Sequence, residues 1–344
     1  MQIPLEQLEK DSSAFMRSSV LGALAELDLA TTVLSLGNAA GVDTIATKIA
    51  CSPRGLEVLL DALVALGYFS KKGAGVLAKY SVLADFAPFL DSREQASYIP
   101  MLRHRASLQR HWSRLSWAVR DGKAQKECSP SFLGAANDSL SFISAMNAIA
   151  LQLANDTMDA LEKAGFFAKL PSSARILDIG GALGTYTESF LRRLPNATVS
   201  LFDLPYAIIE AQKHFLASPY EKRVTFLEGD FTKQGFPEGF DLAWISAIIH
   251  QLGQEECLDL FQKTFAALSP SGIVAIRDFV MDEGKIAPMD GTLFGLNMLV
   301  CTAHGRVYSF YEIKNCLLAA GFEKVEHTID VPSMSAVVTA RKPA

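Results

Sequence analysis

A short apolar run that opens directly into a glycine-rich turn constrains this chain more than any other feature. Residues 175–184 read Arg-Ile-Leu-Asp-Ile-Gly-Gly-Ala-Leu-Gly. Ile176 to Ile179 fits a buried parallel strand, and helical spacing follows from Thr185 to Arg193. The unit therefore reads strand, glycine turn, helix. In such a unit the glycines let the backbone pass close to a ligand at the end of a central strand.

The spacing within the turn separates two classes of nucleotide site. The turn reads acid-x-Gly-x-Ala-x-Gly, with Asp178, Gly180, Ala182 and Gly184 at the marked positions. A dinucleotide fingerprint requires glycine where Ala182 and Thr185 stand, which disfavours a nicotinamide oxidoreductase. The spacing instead resembles motif I of S-adenosylmethionine (SAM) dependent methyltransferases. Taken alone, such a turn also fits a simple strand-to-helix connection.

Acidic residues follow the next two predicted strands. The strand from Ala197 to Phe202 ends at Asp203, a little over 20 residues after the first glycine of the turn. An acid at that distance can accept hydrogen bonds from both ribose hydroxyls of a nucleoside. The structural alternative is a turn or helix-capping aspartate. A third strand, Arg223 to Leu227, leads to Asp230 and Phe231, which are placed to contact the adenine amino group and ring.

The rest of this region continues the alternation of strands and helices. The last two predicted strands are so close in sequence that they indicate an antiparallel final pair. The region is therefore predicted to be an α/β doubly wound sheet with an antiparallel last strand. The further predicted elements are strands 240–246 and 272–278, a helix over 254–268, a helix over 309–320, and final strands 324–329 and 335–341.

The N-terminal third has the element order of a winged helix. Apolar spacing predicts helices over 12–35, from Thr44, and over 53–66, followed by a hairpin from Tyr68 to Tyr80. Residues 1–100 contain eight Lys and Arg against eleven Asp and Glu, a net charge of −3. A module that binds phosphates needs a basic face, so we expect no nucleic acid partner. The apolar helix faces are better explained by packing on the rest of the chain or on a second subunit.

Two helices are predicted between these regions. The stretch between Pro100 and Pro130 is amphipathic and rich in cations, which we interpret as a solvated basic face. The second helix runs from Ser139 to Lys163, and its Met146 and Asn147 are candidates to line a pocket.

Composition excludes several classes. The net charge is −5, and the five cysteines (Cys51, Cys128, Cys257, Cys301 and Cys316) are scattered without metal-ligand spacing. We expect reduced thiols, no metal site, and a soluble, cytoplasmic protein. No apolar run reaches the roughly 18–20 residues that span a bilayer, so no membrane association is expected.

Together these segments resemble the small-molecule O-methyltransferase family of the caffeate and acetylserotonin type, in its bacterial branch. The resemblance covers nearly the whole chain. It implies a winged-helix-like dimerisation domain over 1–100, linker helices over 101–170, and a Rossmann-like class I SAM methyltransferase domain over 171–344. It also implies a homodimer that uses SAM, releases S-adenosylhomocysteine and methylates a small acceptor. The segments that carry it are Leu177–Gly184, Phe202–Pro205, Glu228–Phe231, Asp241 to His250, Leu268–Gly272 and Ala319–Phe322.

The resemblance also assigns residues. His250, nine residues after Asp241, occupies the position of the catalytic general base, and Asp278 the position of an acid that orients it. The implied cofactor-binding residues are Asp178, Gly180, Gly181, Gly184, Asp203, Leu204, Asp230, Phe231 and Ser246. The implied substrate-binding residues are Met146, Asn147, Phe294, Asn297, Met298 and His304.

Some positions depart from the family pattern. Gln251 and Leu252 replace the usual Asp-Trp, Ser246 replaces a lysine common in plant members, and a second orienting acid is missing near Val307. The leading prediction is methyl transfer to a hydroxyl of an aromatic or polyketide-like acceptor. Two alternatives stay open: a C-methyltransferase on a similar acceptor, as in bacteriochlorophyll or carotenoid pathways, and a SAM-binding regulatory paralogue without turnover.

Overall fold

A computed structural model describes residues 4–125, 130–131 and 133–344. The chain divides into two compact units, the first formed by the described residues of 1–110 and 127–148 and the second by those of 111–126 and 149–344. The linker helices expected over 101–170 are thus shared between the two units. Lys126 and Cys128, which figure in the sequence interpretation, lie outside the described residues.

The helices and strands have the following bounds. The helices are α1 (Pro4–Glu26), α2 (Leu29–Ser35), α3 (Val42–Ile49), α4 (Pro53–Ala65), α5 (Ala87–Leu90), α6 (Ile99–Trp112), α7 (Leu115–Asp121), α8 (Ala135–Lys163), α9 (Thr185–Arg193), α10 (Pro205–Phe215), α11 (Gln254–Ala267), α12 (Met289–Cys301) and α13 (Phe310–Ala319). The strands are β1 (Phe69–Lys72), β2 (Lys79–Val82), β3 (Arg175–Ile179), β4 (Thr198–Asp203), β5 (Val224–Glu228), β6 (Phe240–Ser246), β7 (Leu268–Asp278), β8 (Val280–Met281), β9 (Tyr308–Ser309), β10 (Glu323–Ile329) and β11 (Ala336–Arg341).

The first unit contains three helices, α2 to α4, followed by the antiparallel hairpin β1–β2, in the order predicted. Whether this arrangement is a winged helix stays a prediction. The prediction of a single helix over 12–35 is wrong, because a turn interrupts the helical conformation between α1 and α2. At the break, Asp28 adopts φ 47° and its carboxylate accepts hydrogen bonds from the hydroxyls of Thr31 and Ser92. A short polar side chain tolerates this left-handed conformation, so the apolar spacing continues across a turn.

The second unit is built on a seven-stranded sheet in the order β10-β11-β7-β6-β3-β4-β5. The strands from β7 to β5 pair in parallel, whereas β11 pairs antiparallel with both β7 and β10. This confirms the predicted sheet and its antiparallel final pair. The glycine turn follows β3, the middle one of the five parallel strands, so a ligand at the carboxyl edge would meet the turn there.

Successive residues of β7 face opposite layers of the core. Val274 and Ile276 pack with α11 and α13 on one side, and Ile273 and Ala275 pack with α8 and α9 on the other. The alternation sends the last two residues of the strand, Arg277 and Asp278, to opposite faces of the sheet. Both are buried.

In the described part of the chain, no single helix is long and apolar enough to cross a membrane, although the bent pair of α1 and α2 reaches that length and composition together. Among the described residues, Cys51, Cys257, Cys301 and Cys316 form no disulfide.

Candidate active site

The turn between β3 and α9 requires its glycines. Gly180 and Gly184 have φ of 70° and 85°, and a Cβ atom would clash with the side chain of Ile248 at the first and of Phe215 at the second. Ala182 also adopts a positive φ, 47°. The turn thus keeps a left-handed course at a residue that is not glycine, at a small cost in backbone strain.

Asp178 lies beneath this turn and is 1% exposed. Its Oδ2 accepts a hydrogen bond of 2.6 Å from the Thr187 hydroxyl on α9. Burial raises the pKa of Asp178 to about 7, while the Thr187 hydrogen bond acts in the opposite direction and the charge of Asp203 adds to the rise. The carboxyl group thereby ties the strand before the turn to the helix after it.

Asp203, at the end of β4, joins the second strand to the same turn. Its Oδ2 accepts from the backbone N–H of Ala182 (2.8 Å) and its Oδ1 from that of Leu204 (2.7 Å). Burial raises its pKa. Since a carboxylate offers about four lone-pair sites, roughly two remain for a ligand. Helix α10 begins without a side-chain cap, so the capping alternative is not what holds this aspartate.

Asp230 and Phe231 follow β5 at the same edge. The Thr232 backbone and hydroxyl both donate to Asp230 Oδ1 (3.0 and 2.6 Å), and Lys233 pairs with Oδ2 at 2.9 Å. These partners lower the pKa of Asp230 to about 2. Phe231 is half-buried, and its carbonyl accepts from Lys263 Nζ at 2.8 Å.

His250 and Asp278 form a buried pair. The imidazole Nδ1 lies 2.9 Å from both carboxylate oxygens of Asp278, and the two residues are 7% and 1% exposed. The backbone N–H of Phe279 donates to Asp278 Oδ1 at 2.8 Å. A carboxylate only accepts, so Nδ1 carries the ring proton and the Nε2 lone pair stays free for a proton. This is the arrangement of a general base with its orienting acid.

The absence of a second orienting acid near Val307 stays a prediction. Val307 is buried against Gly295, and Gln251, in place of the usual aspartate, donates to the backbone carbonyl of Ala247 at 3.3 Å. In the described residues, the carboxylate that bonds the His250 ring is that of Asp278.

Aromatic side chains lie beside His250. The ring of Phe294 meets the imidazole edge-on with centroids 4.8 Å apart, and Phe279 lies 5.3 Å from Phe294. About one helical turn further along α12, Asn297 is half-buried and Met298 is buried. These α12 residues share the helix that carries Phe294 to His250.

Two further substrate candidates lie differently. The His304 side chain is 65% exposed and its Nδ1 is 2.9 Å from Glu256 Oε1, a placement that does not support a pocket-lining role. Met146 and Asn147 lie on α8 in the first unit and are half-buried. Their role stays a prediction.

Sequence reasoning missed Trp112 and Arg277. The Trp112 indole donates to Asn297 Oδ1 at 2.9 Å, a pairing across 185 residues that no local pattern reveals. Arg277 is 2% exposed and donates from Nη1 to Ser246 Oγ at 3.0 Å. A signal was available for it, because a single cation directly follows the apolar run from Ile273 to Ile276 within the predicted strand.

Comparison with known proteins identifies the family. Residues 112–323 match the O-methyltransferase domain, and residues 11–83 match the O-methyltransferase dimerisation domain. Acetylserotonin O-methyltransferase of Gallus gallus is 29% identical over 326 residues, covering 92% of this chain and 91% of the relative. The tetracenomycin polyketide synthesis 8-O-methyl transferase TcmO of Streptomyces glaucescens is 29% identical over 335 residues, covering 96% and 94%.

A solved structure supports the fold. Human N-acetylserotonin methyltransferase in complex with SAM matches with a TM-score of 0.79 at 23% identity, over 100% of this chain and 99% of that chain. Neither a C-methyltransferase nor a regulatory paralogue gains support from these relatives. The chain belongs to the O-methyltransferase family and is a SAM-dependent O-methyltransferase.

Proposed function

We propose that the protein transfers the methyl group of SAM to a hydroxyl of a small aromatic or polyketide-like acceptor, with His250 as the general base. The observation that carries this proposal is the buried contact of His250 Nδ1 with Asp278, which leaves Nε2 as a proton acceptor. Methyl transfer is an in-line displacement at an electrophilic methyl. The protein therefore has two tasks, to align donor and acceptor and to remove the hydroxyl proton.

Asp278 is the positioning residue of this pair. It holds the ring in one tautomer and stabilises the imidazolium that forms when the acceptor proton is taken. After transfer, the methyl–sulfur bond is broken, the new methyl–oxygen bond is formed, and the proton resides on His250 until solvent removes it.

The surroundings of His250 favour a flat, mostly apolar acceptor. Phe294 and Met298 supply apolar surface, and Asn297 supplies a polar anchor. Trp112 and the Cys301 thiol both donate to Asn297 Oδ1, at 2.9 and 3.7 Å, so the amide N–H groups are the ones left for a ligand. The relatives' names, which refer to acetylserotonin and to tetracenomycin polyketide synthesis, are consistent with this class of acceptor.

The donor is proposed to lie along the carboxyl edge of the sheet. Asp203 has lone pairs for the ribose hydroxyls, and Leu204 is partly exposed beside it. Asp230 and Phe231 are assigned to the adenine, and the turn from Gly180 to Gly184 to close backbone approach. Asp178, being buried, is assigned a supporting role beneath that turn.

The protein is also proposed to act as a homodimer through its first unit. The dimerisation match over residues 11–83 supports this, as do apolar side chains that α1 exposes. These are Leu5, Leu8, Phe15 and Met16, each more than half exposed. Sedimentation equilibrium is expected to give twice the chain mass, and a monomer at micromolar concentration would contradict the assembly.

Calorimetric titration of the purified protein with SAM, S-adenosylhomocysteine and NADH tests the donor assignment. Both adenosyl ligands are expected to bind and NADH is not. A panel of phenolic acceptors is then screened with methyl-labelled SAM. Binding of neither adenosyl ligand would overturn the proposal at its root, whereas binding without transfer to any phenol would overturn the acceptor class.

A further inference from the structure

Arg277 is a buried cation whose hydrogen-bonding capacity is largely unused. It is 2% exposed, and only Nη1 has a partner, the Ser246 hydroxyl. Its Nε and Nη2 have none. In the described residues, no carboxylate forms an ion pair with this guanidinium. Burying a charge without a partner is costly, so such a group is expected to have an anionic partner that the chain itself does not supply.

Arg277 lies at the edge of the sheet that carries the proposed donor site. Arg277 pairs in the sheet with Ser246; Ser246 ends β6 and Arg277 is the last residue but one of β7, so both lie at the carboxyl edge. Strand β6 is the neighbour of β3, which opens into the glycine turn. The guanidinium lies 5.3 Å from the centre of the Tyr186 ring, in the first turn of α9. An anion here would also be favoured by the N-terminus of that helix.

Neighbouring groups add to the excess of unpaired polar atoms. Tyr186 OH, Thr157 Oγ1 and Trp244 Nε1 are buried without a hydrogen-bond partner. These groups lie close together. The rings of Tyr186 and Trp244 are 5.2 Å apart. Burial raises the pKa of Tyr186, while the nearby hydroxyls of Thr157 and Ser246 lower it. Indole and guanidinium only donate. The hydroxyls can both donate and accept, but the unpaired nitrogens of Arg277 and Trp244 need acceptors, and a carboxylate supplies acceptor oxygens.

We propose that Arg277, positioned by Ser246, binds the carboxylate at the methionyl end of SAM. This inference rests on the proposed donor site. The carboxylate is the only anionic group of SAM, and the assignments of Asp203 to the ribose and of His250 to the methyl end leave it at this side of the turn. A guanidinium can bind a carboxylate by donating two parallel hydrogen bonds. Its Nε and Nη2 atoms form one of the edges that can donate such a pair.

The test compares ligands that differ in this carboxylate. Calorimetry on the full-length protein measures the dissociation constants of SAM, of decarboxylated SAM and of methylthioadenosine, which lacks the whole amino-acid end. One charge-assisted contact is expected to make SAM bind roughly 10–100-fold more tightly than decarboxylated SAM. In Arg277→Met, this ratio is expected to fall to within about threefold, while methylthioadenosine binds as in the wild type.

Arg175→Met is the matched control. Arg175 is an exposed arginine at the opposite, amino end of β3, so the same substitution there is expected to leave all three constants unchanged. Arg277→Lys keeps a cation without the two-pronged edge and is expected to retain an intermediate ratio.

Two results would overturn the inference: an unchanged ratio in Arg277→Met that still binds methylthioadenosine, or a wild-type ratio near one. If Arg277→Met does not fold, the wild-type ratio and Arg277→Lys decide the question, with a fully retained ratio in the lysine variant counting against a paired contact. Failure of the proposed donor site itself looks different, since the wild-type protein would then bind none of the three ligands.

Discussion

Two adjacent residues at the end of β7 differ in how many of their polar atoms find a hydrogen-bond partner within the protein. Asp278 faces one side of the sheet and is bonded by the ring of His250 and the backbone of Phe279. Arg277 faces the other side and keeps two unpaired nitrogens. The first pair is organised by the chain alone, whereas the second group keeps donors without acceptors. If both proposals hold, the protein presets its base and leaves its carboxylate-binding group to be completed by the ligand.

The largest expected effect follows from removing the preset base. His250→Ala deletes the proposed proton acceptor, so turnover with a neutral hydroxyl acceptor is expected to fall by about 10²–10⁴-fold. The affinity for SAM should hardly change, because the base contacts the acceptor. His214→Ala, an exposed histidine on α10, serves as the control. Turnover within threefold of the wild type would show that proximity alone suffices.

A smaller loss is expected from the orienting acid. Asp278→Asn keeps the shape but replaces the acceptor with an amide that can hold the other tautomer of His250. The loss of one charge-assisted hydrogen bond corresponds to roughly 10–100-fold in turnover. Steady-state kinetics would show the loss in kcat with the KM for SAM unaltered. An unaltered kcat would mean that Asp278 supports packing only.

The third prediction concerns the aspartate beneath the glycine turn. Because the folded-state pKa of Asp178, about 7, lies above its ordinary value, its contribution to stability is present at low pH and is lost as the pH rises through 7. Asp178→Asn cannot titrate. The free energy of unfolding of the variant minus that of the wild type is therefore expected to increase by on the order of 2 kcal/mol from pH 5 to pH 8.

Urea unfolding at the two pH values measures this difference. Comparing variant with wild type removes the effect of other titrating groups, since these are shared. A difference that stays constant between pH 5 and pH 8 would show that Asp178 is already ionised in the folded protein at the lower pH.

The smallest effect is expected at the acceptor anchor. Trp112→Phe removes the indole N–H that holds Asn297 and frees its amide to rotate. The loss of one neutral hydrogen bond is expected to raise the KM for the acceptor by about 2–10-fold. The affinity for SAM is expected to stay unchanged. Trp117→Phe, at a half-exposed tryptophan of α7, is the matched control. Equal effects of the two variants would refute a specific role for Trp112.

The sequence carried much of the fold and part of the site. Strand-ending motifs predicted the glycine turn, Asp203 and Asp230 at one edge, because in a parallel sheet the carboxyl ends of strands meet there. The family resemblance added His250 and Asp278. The break at Asp28 was missed because a left-handed residue leaves no trace in apolar spacing.

The remaining site residues depend on distant or opposite-facing contacts. Trp112 reaches Asn297 through tertiary packing alone. Arg277 falls within the predicted strand 272–278, and only its burial with two unpaired nitrogens gives it significance. The sequence position of His304 suggested that it lines the pocket. Its pairing with Glu256 at the surface depends on the path of the loop after α12, which the sequence does not reveal.

The most direct test of the account follows the methyl group itself. SAM labelled with ¹³C in its methyl group is incubated with a phenolic acceptor and either wild-type protein or His250→Ala, and carbon NMR identifies the atom that carries the label. The account predicts a labelled methoxyl group in the wild type and its near absence in the variant. A label bonded to carbon, or equal methoxyl formation by both proteins, would contradict it.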